Sequence, residues 1–391
     1  MGQYVSVSPN LSSTRGHAMA TATHIYTPIV KGKMWDLKAL GKLSAKARTA
    51  IKPLVEAMPV PKDSSVDEHL DKFTHYLKKY YPIGQLFVDF YGLVPGAVTD
   101  DGSSAVIAGY HLLKQKGRLA TPTYGFDRDD SVWPELRKVV AAFGQGFCFR
   151  VDIDDMDDVA DDTWLQIIER SAELGLQPNQ IDLVIDLRDI REREVSELKD
   201  LVIDFLSFKP LDREYRSISV VGSSALKTVT DVPKDGEGDI QRIELRLWTQ
   251  LQVDLGESQE IIYGDYGVIH PEFSDAGPNK NKNAKIRYTF GLNIRYFRGH
   301  RLADPPGFAQ FHILAERVRS SSAYRGREFS FGDTHLDDCA DLNTGSGHLG
   351  TWVLTDMNHH MEYAALQIAR LRVEIHTASS LEDVEELLLT E

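Results

Sequence analysis

The chain has 391 residues, room for one barrel-sized domain and a smaller appendage, and its 42% hydrophobic and 26% charged content is that of an ordinary globular protein. A net charge of −14 excludes a basic coat for non-specific duplex binding, while leaving room for a local basic cleft. The two cysteines, Cys148 and Cys339, exclude a disulfide framework and a thiolate zinc site and fit a reducing cytoplasm; no apolar run reaches the length of a membrane span, so no membrane partner is expected.

Residues 1–23, rich in Ser and Thr and without the apolar core of a secretion signal, read as a flexible leader. From His24 onwards, eight short apolar runs each end in charged or hydroxyl residues, and each is followed by a helix-like stretch. The runs are His24–Lys33, Ile51–Pro59, Gln85–Tyr91, Leu119–Asp127, Gly146–Asp154, Ile181–Ile190, Arg216–Ala225 and Glu260–His270. Between them, Trp35–Arg48 carries Leu37, Leu40 and Leu43 on one helical face, and Ser65–Lys79 spaces Val66, Leu70, Phe73 and Leu77 likewise. The second of these opens on a capping box, Ser65 with Glu68. Ser103–Lys116, Asp130–Phe143, Asp161–Leu174, Glu194–Phe208 and Asp239–Leu255 repeat the theme, several ending before a glycine.

Eight strand–helix units across residues 24–275 predict an α/β fold, a (β/α)8 TIM-type barrel. An open doubly wound sheet would bring a glycine-rich dinucleotide loop, and a solenoid would bring self-similar repeats; neither is present. Residues 276–391 read as a C-terminal α+β extension packed on the barrel over its mouth. It comprises a polar loop, a hairpin Ile286–His300 turning at Gly291, a helix Gly307–Ser320, a long loop Gly332–Gly350, an amphipathic helix Thr355–Val373 and an acidic tail.

An ordered set of motifs then becomes informative. It starts with YTPIVKGKMWDLKAL and IKPLVEAMP, continues through EHLDK, FVDF, the RDD after the fourth strand and IDLVIDL, and ends with YGDYGV, AKIRYTF, Tyr324-Arg325-Gly326 and Trp352 to His360. Over about residues 26–372 this set resembles the phage-type "beta protein" family. The resemblance implies a setting in phages and accessory bacterial genomes, and hence in phage–host conflict; it implies no particular reaction.

In a TIM-type barrel, chemistry sits where strands run out. Glu56, Asp89, Asp152, Asp186 and Asp265 end strands there. Carboxylates converging on one mouth can bind Mg²⁺ or Mn²⁺, serve as acid or base, or pair with nearby cations. The metal set read here is Glu56, Asp89, Asp152 and Asp265, with Asp89, Asp186 and His360 as catalytic candidates. Lys31, Lys33, Arg150, Arg188 and, later in the chain, Arg287 and Tyr288 are read as binding phosphate. Arg150–Asp152 and Asp186–Arg188 each sit two apart on a strand and so face one way, either as a neutralised polar layer or as an anion site. Ser223 and Ser224 follow the seventh strand, where backbone N–H groups of a barrel often hold phosphate. His359, His360 and Glu362 lie on the late helix, as metal or proton groups or simply as packing residues.

Two functions follow. One is an enzyme acting by metal-assisted phosphodiester or phosphoryl hydrolysis on a phosphorylated small molecule or nucleic-acid end. The other is a non-catalytic recognition or scaffold protein with a protein partner in a phage-defence or counter-defence assembly. A third chemistry, a Schiff base of pyridoxal phosphate on Lys31, rests only on strand position.

Overall fold

The structure is a computed structural model describing residues 24–128, 130–255, 258–272 and 282–375. The expected leader, most of the polar loop and the acidic tail lie outside these residues. Eight parallel strands close into a barrel: β1 (Tyr26–Lys31), β2 (Leu54–Glu56), β3 (Phe87–Asp89), β4 (Thr121–Gly125), β5 (Phe147–Asp152), β6 (Ile181–Asp189), β7 (Ser217–Ser223) and, after an intervening β8 (Glu237–Gln241), β9 (Ile262–Asp265). Closure is made by β9, which pairs with both β7 and β1, Asp265 lying opposite Gly222 on one side and Pro28 on the other. Each of the eight expected runs contains one barrel strand, and the fold is a (β/α)8 barrel.

The outer layer is built by α1 (Met34–Gly41), α2 (Ala45–Ala50), α3 (Val66–Tyr80), α4 (Ala105–Gln115), α5 (Trp133–Phe143), α6 (Ala160–Leu174), α7 (Val195–Ser207) and α8 (Ile243–Leu255). α3 forms as its sequence dictates: Ser65 Oγ accepts from the Glu68 N–H, Glu68 returns to the Ser65 N–H, and Leu70, Phe73 and Leu77 face the core. Left-handed glycines, Gly144 and Gly175, stop α5 and α6. The stretch Trp35–Arg48 is two helices rather than one, because Ser44 starts a new turn by accepting from the Ala47 N–H.

Past the barrel strands, β10 (Asn283–Phe290) and β11 (Asn293–Arg301) form the expected hairpin, with Gly291 at positive φ in its turn. β8 adds to its far edge, giving a three-stranded antiparallel sheet. The expected helix Asp239–Leu255 therefore gives up its first residues to a strand, because Asp239 and Gln241 find ladder partners in β11. α9 (Gln310–Arg319) and α10 (Phe331–Ala340) pack on this sheet around Phe297, Phe311, Leu336 and Trp352. α10 replaces part of the long loop expected over Gly332–Gly350; Ser330 caps it by accepting from the Asp333 N–H.

The last helix, α11 (Leu349–Ile375), is six residues longer at its start than the sequence reading placed it. It lies against β1, α1, α2 and α8, on the outer wall of the barrel. Asn358 Nδ2 donates to the Ala39 carbonyl, and Glu362 accepts from the Ser44 N–H at 3.0 Å. α11 is thus the eighth helix of the barrel, and the hairpin with α9 and α10 is an insertion before it. The expectation that this helix lies over the mouth gives way, because its broad buried face covers the outer side of the paired strands β9 and β1.

Behind this wall, Glu244 on α8 is buried and pushed up to about 7 by that burial, against the opposing pull of Arg242 and the Ser224 hydroxyl. A carboxyl raised in the folded state contributes stability below its ordinary value of 4.5 that is lost as the pH rises through about 7. Glu244→Gln, which keeps an acceptor for Ser224, should therefore gain stability over the wild type between those pH values, by roughly 1–3 kcal/mol at pH 8. Urea titrations at pH 4.5 and pH 8 measure this; an equal difference at both would refute it.

Candidate functional site

Alternate residues of each strand point into the barrel and stack in layers. A polar layer of Thr27, Lys52, Asp182, Ser217 and Ser219 lies at the N-terminal end. Above it is an apolar layer of Ile29, Leu54, Phe87, Cys148, Val184 and Val221, joined by Tyr266 from the loop after β9. The C-terminal layer holds Lys31, Glu56, Asp89, Arg150 and Asp186, all at most 6% exposed.

Arg150 organises this last layer. Its Nη1 donates to Asp89 Oδ2 at 2.9 Å, its Nη2 to Glu56 Oε1 at 2.7 Å, and its Nε to Asp186 Oδ2 at 3.0 Å. Lys31 Nζ donates to Glu56 Oε2 at 2.5 Å and to the Pro271 carbonyl at 2.8 Å. Arg128, from the loop after β4, places Nη1 on Asp89 Oδ1 at 2.6 Å and Nη2 on Oδ2 at 3.1 Å. Tyr266 donates its hydroxyl to Asp186 Oδ2 at 2.6 Å. Lys31, Arg128 and Arg150 thus balance Glu56, Asp89 and Asp186. Burial alone would raise the Asp89 carboxyl, but Arg128 and Arg150 hold it below its ordinary value. Burial, then the Asp186 charge, pushes the Tyr266 phenol well above its ordinary value, so it stays a donor.

Around this layer, further side chains face a cavity of about 660 Å³ at this mouth. Arg188 Nε donates to Asp152 Oδ2 at 2.6 Å, and its Nη1 to the Tyr91 hydroxyl at 3.0 Å. The guanidinium carbons of Arg128, Arg150 and Arg188 lie 4.9, 5.1 and 4.8 Å from the centre of the Tyr91 ring. Arg188 also has φ +55°, a left-handed conformation rare outside glycine, where the β6–β7 register breaks between Asp186 and Asp189. Apolar side chains also line the cavity, among them Met58, Leu93, Val94, Val106 and Val132.

The residues read from the sequence are therefore partly assembled. Lys31, Glu56, Asp89, Arg150 and Asp186 meet in one layer, with Asp152 and Arg188 beside it. Lys33 is exposed at the start of α1, beside a separate groove containing His69 and Phe73. Ser223 Oγ accepts from the Ala225 N–H, and Ser224 Oγ accepts from Ile243 N–H while donating to Glu244. The Leu226 N–H is taken by the Tyr296 hydroxyl. The donors expected to cradle phosphate after β7 are thus engaged within the protein.

Asp265 points the other way. Because Gly264 and Tyr266 face inward, Asp265 faces α11, where it accepts from Tyr26, Tyr263, the Gly267 N–H and His360 Nε2 at 2.6–2.9 Å. His360 is buried, with Nδ1 on Thr289 Oγ1, and His359 lies between Asp333 and the Thr289 carbonyl. Tyr288 donates to Asp333 in the second core, and Arg287 holds Asp356 and the Val268 carbonyl behind the β9 loop. None of Arg287, Tyr288, His359 or His360 lines the mouth cavity.

The expected Mg²⁺ or Mn²⁺ ligand set is not brought together. Arg150 stands between Glu56 and Asp89, Asp152 belongs to Arg188, and Asp265 is on the outer wall. Among the described residues, no group of three or more His, Cys, Asp or Glu side chains is arranged to hold a metal ion. Three mouth residues escaped the sequence reading: Arg128, Tyr91 and Tyr266. Tyr266 was one residue from the chosen Asp265, and strand parity decides between them. Arg128 was legible only as the first residue of RDD in a loop.

Similar folds occur among solved structures. Triosephosphate isomerase from Bartonella henselae is 12% identical, with a TM-score of 0.33, over 61% of this chain and 90% of that one. A mandelate racemase/muconate lactonizing protein from Herpetosiphon aurantiacus is 14% identical, with a TM-score of 0.33, over 72% of this chain and 65% of its own. A mandelate racemase/muconate lactonizing enzyme from Roseiflexus sp. is 12% identical, with a TM-score of 0.36, over 70% and 62%. The chain thus spans just under two thirds of the latter two. No curated protein matches it. Among the described residues no helix is long and apolar enough to cross a membrane. One family model does match, that described as Beta protein, over residues 26–365, which takes in every barrel strand, the inserted hairpin and most of the eighth helix; the chain belongs to the Beta protein family.

Proposed function

We propose that the barrel mouth binds a phosphorylated small molecule or a phosphorylated nucleic-acid end, with Arg188 as its principal contact and Arg128 and Lys31 beside it. The observation that carries this reading is the backbone of Arg188. A non-glycine residue at φ +55° costs about 1 kcal/mol or more, and such strain clusters where a side chain must be aimed. Here the guanidinium is aimed along the wall of the mouth cavity, and its pairing with Asp152 is partly open to solvent. Guanidinium groups suit phosphate through paired N–H donors. The apolar side chains in the same lining suit a base or another nonpolar part of the ligand. Hydrolysis of a phosphoester, if this mouth performs it, would draw on charge stabilisation by the arginines and Lys31 rather than on an ion held by Glu56, Asp89, Asp152 and Asp265.

Calorimetric titration with adenosine monophosphate, ribose 5-phosphate and a 5′-phosphorylated dinucleotide tests this. Wild-type protein should bind at least one of them saturably, and Arg188→Ala and Arg188→Gly should each bind it about tenfold more weakly or worse. The glycine variant should be the more stable of the two by about 1 kcal/mol, because glycine adopts positive φ without strain. Absence of binding across the panel, or unchanged binding by Arg188→Ala, would overturn the reading.

A second reading is a non-catalytic recognition or scaffold protein of a phage-defence or counter-defence assembly. It draws on the pairing in the mouth, where Glu56, Asp89 and Asp186 are each engaged by a cation and so are poorly placed to take a proton from a substrate. A stable stoichiometric protein partner, retained by Arg188→Ala, would favour it.

A further inference from the structure

We infer that the opposite, N-terminal end of the barrel carries a separate site for a small phosphate-type oxyanion. A cavity of about 670 Å³ opens there, within the range of ligand sites. Three cationic side chains line it, Lys52, Arg118 and Arg216, and among the described residues one carboxylate does, Asp182.

Asp182 is already shared. It accepts from Lys52 Nζ at 2.8 Å, from Arg216 through Nε at 2.9 Å and Nη2 at 2.5 Å, and from the Ser217 hydroxyl at 2.7 Å. Burial would raise this carboxyl, but Lys52 and Arg216 hold it at about 2, so it contributes one full negative charge. Among the described residues Arg118 pairs with no carboxylate: its Nε, Nη1 and Nη2 donate to the carbonyls of Tyr81, Leu119 and Gly84. Backbone carbonyls satisfy its hydrogen bonds without cancelling its charge. His24, at the cavity wall, is kept neutral by burial, which lowers it to about 3.

Two positive charges are therefore left over in a recess where Lys52 and Asp182 are almost wholly buried. Excess like charge in a low-dielectric recess is unfavourable until an anion enters. A doubly charged phosphate or phosphate monoester supplies the missing charge, and the amide side chain of Asn179 at the rim offers it a donor. The ion-pair layer alone would explain Lys52, Asp182 and Arg216, but it gives no partner charge for Arg118.

The test uses the full chain carrying Arg188→Ala, which takes the mouth proposed above out of the measurement, at low ionic strength, titrated with inorganic phosphate and with ribose 5-phosphate. At least one should bind saturably, and the tighter of the two separates a free-ion site from an ester site. Asn179→Asp, an exposed isosteric change that adds one negative charge, and Arg118→Gln should each weaken that binding about tenfold. Because every titration carries Arg188→Ala, binding that persists and then falls with Asn179→Asp belongs to this end of the barrel and not to the mouth, whose lining includes Arg188. Arg118→Gln removes contacts to three carbonyls and is the variant more exposed to misfolding, so Asn179→Asp carries the decision. Binding unaltered by Asn179→Asp, or no saturable binding of either probe, would overturn the inference.

Discussion

Arg150→Met should cost the fold on the order of 3–5 kcal/mol, the range for removing one partner from a buried ionic network. Methionine fills much of the arginine's volume, so the loss is electrostatic rather than a cavity. Asp89 keeps Arg128, Glu56 keeps Lys31, and Asp186 keeps the Tyr266 hydroxyl and the Arg188 N–H, but three buried negative charges then face two buried cations. Urea unfolding at pH 8 measures the loss. A midpoint close to wild type at pH 8 would mean that Arg150 is held for a ligand rather than for the barrel.

Asp265→Ala should be as damaging, by roughly 3–5 kcal/mol, and wherever the ligand binds it should leave nothing specific to ligand binding. Four donors converge on that carboxylate: the Tyr26 and Tyr263 hydroxyls, the Gly267 N–H and His360. Arg242 stands 3.9 Å away. Truncation orphans all of them in a fully buried seam, and α11 loses its polar anchor to β9. Asp265→Asn keeps two acceptor lone pairs and should lose less. Thermal melts of the two variants decide this; an Asp265→Ala protein that melts like wild type would remove the seam role assigned here.

The contrast between Asp265 and Asp186 shows what could be read from the sequence. The alternation of apolar runs with helical stretches carries the barrel, because strand and helix periods are local and their order limits topology. Capping was equally legible at Ser65, where the box is adjacent in sequence. The mouth was legible where a strand kept its phase: Lys31, Glu56, Asp89, Arg150 and Asp186 all project inward from strand ends. It failed for Asp265, because YGDYG offers polar groups in both phases and only the neighbours of β9 decide which faces in. It failed for His360 and Arg287, whose placement follows from α11 docking on the wall. Arg128 reaches Asp89 from a loop 39 residues away, a meeting that no periodicity encodes.

The eighth helix also ties the ends of the chain's history together. Asn358 meets Ala39 across 319 positions of sequence, and Glu362 meets Ser44 across 318. The seam between β9 and β1 is therefore the last part of the wall to be covered, and during synthesis it stays bare until the inserted hairpin, α9 and α10 have all been made. Contacts so distant slow folding, although the entropic toll of the long insertion itself grows only with the logarithm of its length. A nascent chain halted before Leu349 would hold all eight barrel strands and an uncovered strip along Tyr26 and Tyr263, a surface for chaperones or for other unfinished copies of itself.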